Sequence, residues 1–221
     1  MKESVKRALH GARQAVVVTV VLMLVCGLLF PLLLSGLSAL FFPHQANGSL
    51  ITAGGMTVGA QNVGHEFTQD YYMWSRPSAY HYNVYVEDEE GNQTYPDGTE
   101  FPGIGSGSNN YAATNPDLAA RVEEDLQNFL EKNPGIKEED IPTDLLTASG
   151  SGLDPHISPA SAEIQIPRIA KASGFSEDQI REIVSRHTGG KFLGIFGEDT
   201  VNVLEVNIEI AQAMGLIGGE K

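Results

Sequence analysis

The chain has 221 residues and a formal net charge of −14, which suits one compact domain beside an anchor better than two full domains. The charge is uneven, because residues 1–14 sum to +3 and the remainder sums to −17. A surface that acidic excludes nucleic acid as a partner, and the single cysteine, Cys26, excludes an intramolecular disulfide and a cysteine-based zinc site.

The first predicted element is a membrane-spanning helix at residues 15–37, after a basic N-terminal segment at residues 1–14. No residue from Ala15 to Phe42 is charged. A helix over that run would be about 42 Å long, against about 30 Å for the hydrocarbon core of a bilayer. A cleaved signal peptide is the alternative, but its apolar region reaches only about 15 residues, so the anchor is favoured.

The flanks of this helix predict its orientation. Four Lys and Arg residues precede it, and none follows before Arg76. The positive-inside rule therefore predicts a single-pass protein of a bacterial cell membrane, with the N-terminus in the cytoplasm and an acidic extracytoplasmic domain over residues 38–221. The lipid bilayer is accordingly one predicted partner.

Small residues recur along the anchor at multiples of four. Because small side chains let a second helix approach closely, we interpret this stripe as a packing surface for a partner helix. Its members are Thr19, Gly27, Ser35 and Ala39.

The domain opens with residues 44–114, which are rich in Gly, Asn, Tyr and Ser and lack a helical period. This composition predicts short strands and loops. Within it, Tyr80–Phe101 predicts a hairpin with an acidic tip. The tip carries Glu87, Asp88, Glu89 and Glu90.

Two helices are predicted next. Asn115-Pro116 is a good N-cap and first-turn pair, and the helix that it begins ends at Asn133. A second helix is predicted from Ser158 to Gly174, with a kink at Pro167.

A third helix begins at Ser176, whose spacing from Gln179 makes a capping box, and Gly189-Gly190 closes it. Apolar residues then alternate over Val201–Ile210, which favours a C-terminal strand. The expected fold class is α+β: a single N-terminal transmembrane helix followed by one mixed α+β domain.

No motif in the sequence predicts catalysis. The glycine-rich runs lack the Gly-Lys-Ser/Thr of a phosphate-binding loop, and no two histidines have the spacing of a helix-borne metal site. A triad drawn from Ser149 or Ser151 with Asp154 and His156 lacks the Gly-x-Ser-x-Gly turn of hydrolases. We therefore expect no catalytic residue, no metal site and no tightly bound cofactor.

The densest group of small and polar residues is the loop Thr147–Pro159. Its glycines permit tight backbone conformations, and Asp154-Pro155 favours a turn. Two interpretations remain open. The loop either caps the next helix through Ser158 or presents side chains to a partner or ligand. The candidate contact residues are Ser149, Ser151, Asp154 and His156.

Motifs in a fixed order cover almost the whole chain. They are the basic start and anchor, Phe42-Pro43 with Gln45–Leu50, Trp74–Ala79, Gly105–Asn109, Thr114–Pro116, Thr147–Ala160, Ile166–Ala170 and Val201–Leu204. Together they resemble the C subunit of the Kdp potassium-transporting ATPase, the KdpC family. The most specific match is TASGSGLDPHISPA at Thr147–Ala160. The acidic stretch at 84–102 looks like an insertion relative to shorter members.

The resemblance implies a non-catalytic accessory subunit of an ATP-driven, high-affinity potassium uptake complex. Such a subunit supports assembly and ATP binding and turnover by the P-type ATPase subunit. The implied partners are that subunit, a channel-like potassium-translocating subunit and a small single-span subunit. ATP is cytoplasmic whereas the charge flanks place the domain outside, so we expect any effect on ATP to act through the complex. A free-standing, membrane-anchored periplasmic binding module is the alternative.

Overall fold

The computed structural model describes residues 2–218. The chain forms two compact units that divide between Ser49 and Leu50. The first is helical, and the second contains short strands and helices around one core. The predicted α+β class with one N-terminal apolar helix is confirmed.

The N-terminal unit is one long helix interrupted by a π-helical turn. Helix α1 (Lys2–Leu24) leads into the π turn at Val25–Leu29, followed by α2 (Phe30–Phe41) and a short α3 (Pro43–Ala46). At the π turn the Phe30 N–H bonds to the carbonyl of Val25, five residues back.

Pro31 accounts for this interruption. Its ring lacks an N–H and crowds the carbonyl four residues earlier, at Gly27, so a regular α-helical turn is disfavoured there. Within the described residues, His10–Phe41 is the stretch that is long and apolar enough to cross a membrane, and its mean hydropathy reaches 2.9. The limits 15–37 of the embedded part stay a prediction.

Two antiparallel hairpins occupy the first part of the domain. Strands β1 (Leu50–Ala53) and β2 (Met56–Ala60) are joined by two glycines with positive φ, as a tight hairpin turn requires. Strands β3 (Val86–Glu87) and β4 (Gln93–Thr94) form the second hairpin. The predicted hairpin with an acidic tip is therefore confirmed.

Helix α4 (Pro116–Lys132) has the predicted N-cap, since Asn115 Oδ1 accepts the Asp117 N–H at 2.8 Å. The predicted single helix from Ser158 to Gly174 is wrong. It is two helices, α5 (Pro159–Glu163) and α6 (Ile166–Ser173). Pro167 lies in the first turn of α6, where a missing N–H is harmless, so the chain breaks before it instead of kinking around it.

Helix α7 (Glu177–Arg186) begins with the predicted capping box of Ser176 and Gln179. It ends earlier than expected, because Gly189 belongs to strand β6 (Thr188–Gly189). Strands β5 (His156–Ile157), β6 and β7 (Thr200–Asn202) form an antiparallel sheet in the order β5-β7-β6.

The predicted strand at Val201–Ile210 is also wrong beyond Asn202. Asn202 caps helix α8 (Val203–Ala213) by accepting the Glu205 N–H at 3.1 Å. The buried residues of α8 form adjacent pairs that recur every three or four residues, as one helix face requires. They are Val203, Leu204, Val206, Asn207, Ile210 and Ala211.

The core lies between α4, α6, α7, α8 and the three-stranded sheet. Two buried amides fasten an irregular segment to it. Asn207 accepts the Met73 N–H at 2.7 Å and donates to its carbonyl at 2.8 Å. Gln165 does the same for Trp74, at 2.8 and 3.2 Å. These side chains fix the direction of the residues that follow Trp74, which enter the candidate site.

Candidate functional site

Three segments converge where the predicted contact loop lies. We call them the junction: Arg76–Asn83, Gly105–Gly107 and Ser149–His156. Backbone atoms dominate the contacts between them. The Gly107 N–H donates to the Ser151 carbonyl at 2.8 Å, and the Ser78 hydroxyl donates to the Gly152 carbonyl at 2.7 Å. The loop is therefore tied along its length to the first half of the domain.

Asp154 is the charged centre of the junction. Its Oδ2 is 3.0 Å from Arg76 Nη1, and its Oδ1 accepts the His156 N–H at 3.0 Å. The Arg76 and Asp154 side chains are 23% and 25% exposed. Arg76 also donates from Nη2 to the Thr147 carbonyl at 3.3 Å, so one guanidinium holds both ends of the loop.

Tyr82 contacts the backbone of both residues of this ion pair and is buried. Its hydroxyl donates to the Arg76 carbonyl at 2.9 Å, with the Asp154 carbonyl 3.3 Å away. Burial, followed by the negative charge of Asp154, raises the pKa of the Tyr82 hydroxyl. The phenol therefore stays neutral and keeps donating its hydrogen bond.

The backbone around Tyr82 is left-handed at three successive non-glycine residues. The φ angles of His81, Tyr82 and Asn83 are 45°, 54° and 58°. Such a conformation costs roughly 1–2 kcal/mol per residue, so the surrounding contacts must hold it. Asn83 provides one of them, because its amide bonds both the N–H of Gly105, at 2.9 Å, and its carbonyl, at 3.0 Å.

Two glycines allow the segments to approach this closely. A Cβ on Gly152, whose φ is +65°, would lie 2.5 Å from the Gly107 carbonyl oxygen. A Cβ on Gly64 would lie 2.3 Å from the Tyr82 ring and 2.6 Å from the Asp154 carbonyl oxygen. No side chain larger than hydrogen fits at either position.

The structure brings the predicted contact residues together but engages most of them internally. The hydroxyls of Ser149 and Ser151 are 3.2 Å apart, and Ser151 Oγ accepts the Leu153 N–H at 3.1 Å. His156 Nδ1 lies 3.8 Å from Asp154 Oδ1. The serines thus bond to each other and to the loop backbone, which is not a nucleophile–histidine arrangement.

The loop also caps the next helix, as the first interpretation proposed, because the Ser158 hydroxyl accepts the Ser161 N–H at the start of α5 at 3.1 Å. The contact role of Ser149, Ser151, Asp154 and His156 stays a prediction. The packing role of the anchor stripe also stays a prediction, and its four residues are exposed: Thr19, Gly27, Ser35 and Ala39.

A cleft of about 390 Å³ opens beside the junction. Trp74 and Phe129 give it aromatic walls, and Arg76 and Tyr82 contribute polar atoms. Burial raises the pKa of Asp125, another lining residue, although Arg121 opposes the shift. Over residues 2–218, no group of three His, Cys, Asp or Glu side chains is placed to hold a metal ion.

Sequence reasoning did not find Arg76, Ser78 and Tyr82 as partners of the loop. The motif Trp74–Ala79 was visible, but nothing in it indicates which distant segment it contacts. The pairing depends on the folded path of the chain.

The chain joins a helix that is long and apolar enough to span a membrane to an α+β domain, which is the architecture of a single-pass membrane protein. The model of the KdpC family, described as K+-transporting ATPase, c chain, matches residues 12–212. The chain therefore belongs to the KdpC family, and the resemblance in the sequence is confirmed.

Individual relatives agree with this assignment. The potassium-transporting ATPase KdpC subunit of Clostridium kluyveri is 52% identical over 206 residues, which cover 93% of this chain and 95% of that protein. That of Clostridioides difficile is 51% identical, covering 93% and 98%. That of Caldanaerobacter subterraneus is 39% identical, covering 96% of each.

Proposed function

We propose that this chain is the accessory subunit of an ATP-driven potassium uptake complex in a bacterial membrane. It supports assembly of the complex and ATP turnover by the P-type ATPase subunit, and it contacts the channel-like subunit and a small single-span subunit. The observation that carries this proposal is family membership over residues 12–212, which include both the anchor and the domain.

The charge distribution supports a particular arrangement. Four Lys and Arg residues precede the helix and none follows before Arg76, which favours a cytoplasmic N-terminus and an extracytoplasmic domain. The domain then acts on ATP turnover through the conformations of the transport subunits, because ATP is on the other side. Its acidic surface lies near the potassium entrance.

The orientation can be tested in intact cells with a membrane-impermeant thiol reagent. Ile104→Cys places a thiol at a position that is 86% exposed, and Cys26→Ser removes the native thiol. We expect labelling of Ile104→Cys without lysis. Labelling only after lysis would place the domain in the cytoplasm and would make direct contact with ATP the better mechanism.

The subunit role is tested by mild-detergent purification of the tagged chain from potassium-starved cells. We expect a P-type ATPase and a channel-like membrane protein in fixed ratio, and lower ATP turnover in membranes that lack this chain. Recovery of the chain alone, folded and monodisperse, would contradict the proposal. It would favour a free-standing binding module, for which the cleft beside the junction is the candidate ligand site.

A further inference from the structure

The loop between β6 and β7 exposes a compact group of large apolar side chains. The exposed fractions are 71% for Phe192, 74% for Leu193, 75% for Ile195 and 62% for Phe196. We call Phe192–Phe196 the apolar tip. Single exposed apolar residues are ordinary, but four within five positions mark an interaction surface. Neither the junction nor the anchor uses this segment.

The apolar tip has a defined backbone. The Phe192 N–H donates to the Phe196 carbonyl at 2.8 Å, and the Phe196 N–H donates back at 3.0 Å. Leu193 and Gly194 have φ angles of +54° and +73°. A branched apolar residue is disfavoured at positive φ, where Asn or Gly is preferred. The turn therefore retains an exposed leucine at a conformational cost, as expected of a contact residue.

The charged residues at the base of the apolar tip are Lys191, Glu198 and Asp199, which sum to −1. Glu198 is 86% exposed, and Asp199 accepts the Lys191 N–H at 3.2 Å. The Lys191 ammonium lies 3.7 Å from Glu198, so this cation is already paired. A loop that inserts into lipid is typically bordered by free basic residues, and this one would be repelled by anionic headgroups. An acidic border instead complements a protein surface that carries Lys or Arg.

The anchor restricts where that surface can be. Only residues 42–49 connect the end of α2 to β1. Eight residues span at most about 30 Å even when fully extended, so Leu50 is tethered within that distance of the end of α2. Membrane-embedded proteins with parts outside the bilayer are within reach of a domain tethered in this way.

We propose that the apolar tip docks into an apolar pocket, bordered by Lys or Arg, on the extracytoplasmic surface of the channel-like transport subunit. The proposal rests on the proposed function and assigns the contact surface for assembly. The four apolar side chains fill the pocket, and Glu198 and Asp199 face its basic border. The acidic border also makes the contact sensitive to salt.

Photo-crosslinking in potassium-starved cells tests the occupant. The full chain carries a benzophenone amino acid at position 193, and the control carries it at position 104, where Ile104 is 86% exposed in another loop. We expect an adduct with the transport subunit, identified by mass spectrometry, from position 193 alone. An adduct with lipid or with a second copy of the chain would overturn the proposal. So would no adduct in a preparation that still contains the transport subunit.

A matched pair of variants tests the energetics. Leu193→Asn with Ile195→Thr removes the apolar surface, while Asn tolerates positive φ, so Tm of the purified full chain stays equal or rises. Recovery of the transport subunit falls by at least about tenfold, as for loss of an interface hot spot. Ile104→Thr with Met56→Thr removes exposed apolar surface elsewhere and leaves recovery unchanged.

Equal recovery with both double variants would overturn the docking proposal while the subunit role stands. If the unvaried chain recovers no transport subunit, the subunit role and the docking proposal fall together. The two failures are thus distinguishable in one experiment.

Discussion

Arg76 and Asp154, 78 residues apart in the chain, form an ion pair with 3.0 Å between Nη1 and Oδ2. The pair joins the segment held by Gln165 and Asn207 to the loop before strand β5. Since both side chains are about three-quarters buried, loss of one leaves the other charge poorly solvated.

Replacement of Asp154 should show how much its ion pair and its hydrogen bond from the His156 N–H contribute to the stability of the domain. Asp154→Asn keeps an acceptor for the His156 N–H and loses the ion pair, so we expect the free energy of unfolding to fall by about 1–2 kcal/mol. Asp154→Ala loses both and should cost more. Urea unfolding of the full chain in detergent measures the difference, and equal stability of the three chains would contradict it.

His156→Ala tests the predicted contact role with little effect on stability. The side chain is 38% exposed, and its ring is 3.8 Å from Asp154. We expect unchanged unfolding and reduced potassium uptake if the loop contacts a partner. Unchanged uptake and unchanged stability together would remove His156 from the contact surface.

Gly152→Ala should destabilise the domain by at least about 2 kcal/mol, because it combines a positive φ with a Cβ clash against the Gly107 carbonyl. Gly150→Ala is the matched control, since a Cβ there meets nothing within 4 Å. Thermal unfolding of both variants gives the comparison. Similar Tm values would show that the loop can move away from Gly107.

The raised pKa of the Tyr82 hydroxyl predicts that the domain loses stability at alkaline pH. Its folded-state pKa is raised above the usual value of 10.0 by burial and by Asp154. The neutral hydroxyl therefore stabilises the fold below about pH 10, and that contribution is lost as the pH rises further.

Tyr82→Phe should lower the free energy of unfolding by about 1 kcal/mol at pH 8 and flatten its decline above pH 10. Burial also raises the pKa of Tyr72 and Tyr95, so a smaller decline remains. Urea titrations at pH 8, 10 and 11 measure both effects. Parallel curves for the two chains would show that another group controls the alkaline transition.

Arg168 should be the most sensitive buried cation in the domain. Its guanidinium lies 4.2 Å from the centre of the Trp74 ring and donates to Asn133, Gln165 and two backbone carbonyls. Burial lowers its pKa to about 10. Arg168→Lys cannot reproduce this planar set, so we expect a loss of roughly 3 kcal/mol by urea unfolding. Lys171→Arg, on an exposed face of the same helix, is the control.

The acidic hairpin should raise the local potassium concentration only at short range, because the Debye length is about 8 Å at physiological salt. Glu87→Gln, Glu89→Gln and Glu90→Gln together should weaken uptake at low potassium and low salt. Asp88 is left intact, since its carboxylate holds the turn through the Glu90 and Asn92 N–H groups. Transport kinetics identical to the unvaried chain would remove the idea.

Local signals were reliable where neighbouring residues decide the structure. Asn115 and the Ser176–Gln179 box cap their helices as predicted. The prediction of a C-terminal strand was wrong because the apolar residues of Val201–Ile210 fit both the two-residue period of a strand and the 3.6-residue period of a helix. The helical period is harder to see because one buried position of the helix is polar: Asn207, which bonds the Met73 backbone.

The junction could be predicted only in part. The loop of Asp154 was evident from its glycines and polar residues, but its partner Arg76 lies 78 residues away and carries no local sign of the pairing. The left-handed turn at His81–Asn83 contains no glycine, so the sequence gives no sign of its positive φ angles. The apolar tip was equally missed, because a short apolar run beside a strand is indistinguishable from core by pattern alone.

The π turn at Val25–Leu29 alters the angular positions of residues on either side of it. In an uninterrupted α-helix, Thr19 and Ser35 would point about 160° apart around the axis. One inserted residue subtracts about 100°, which leaves them about 60° apart. Pro31 thus brings the two halves of the small-residue stripe to one side of the helix. A single straight partner helix could then follow the stripe past the interruption.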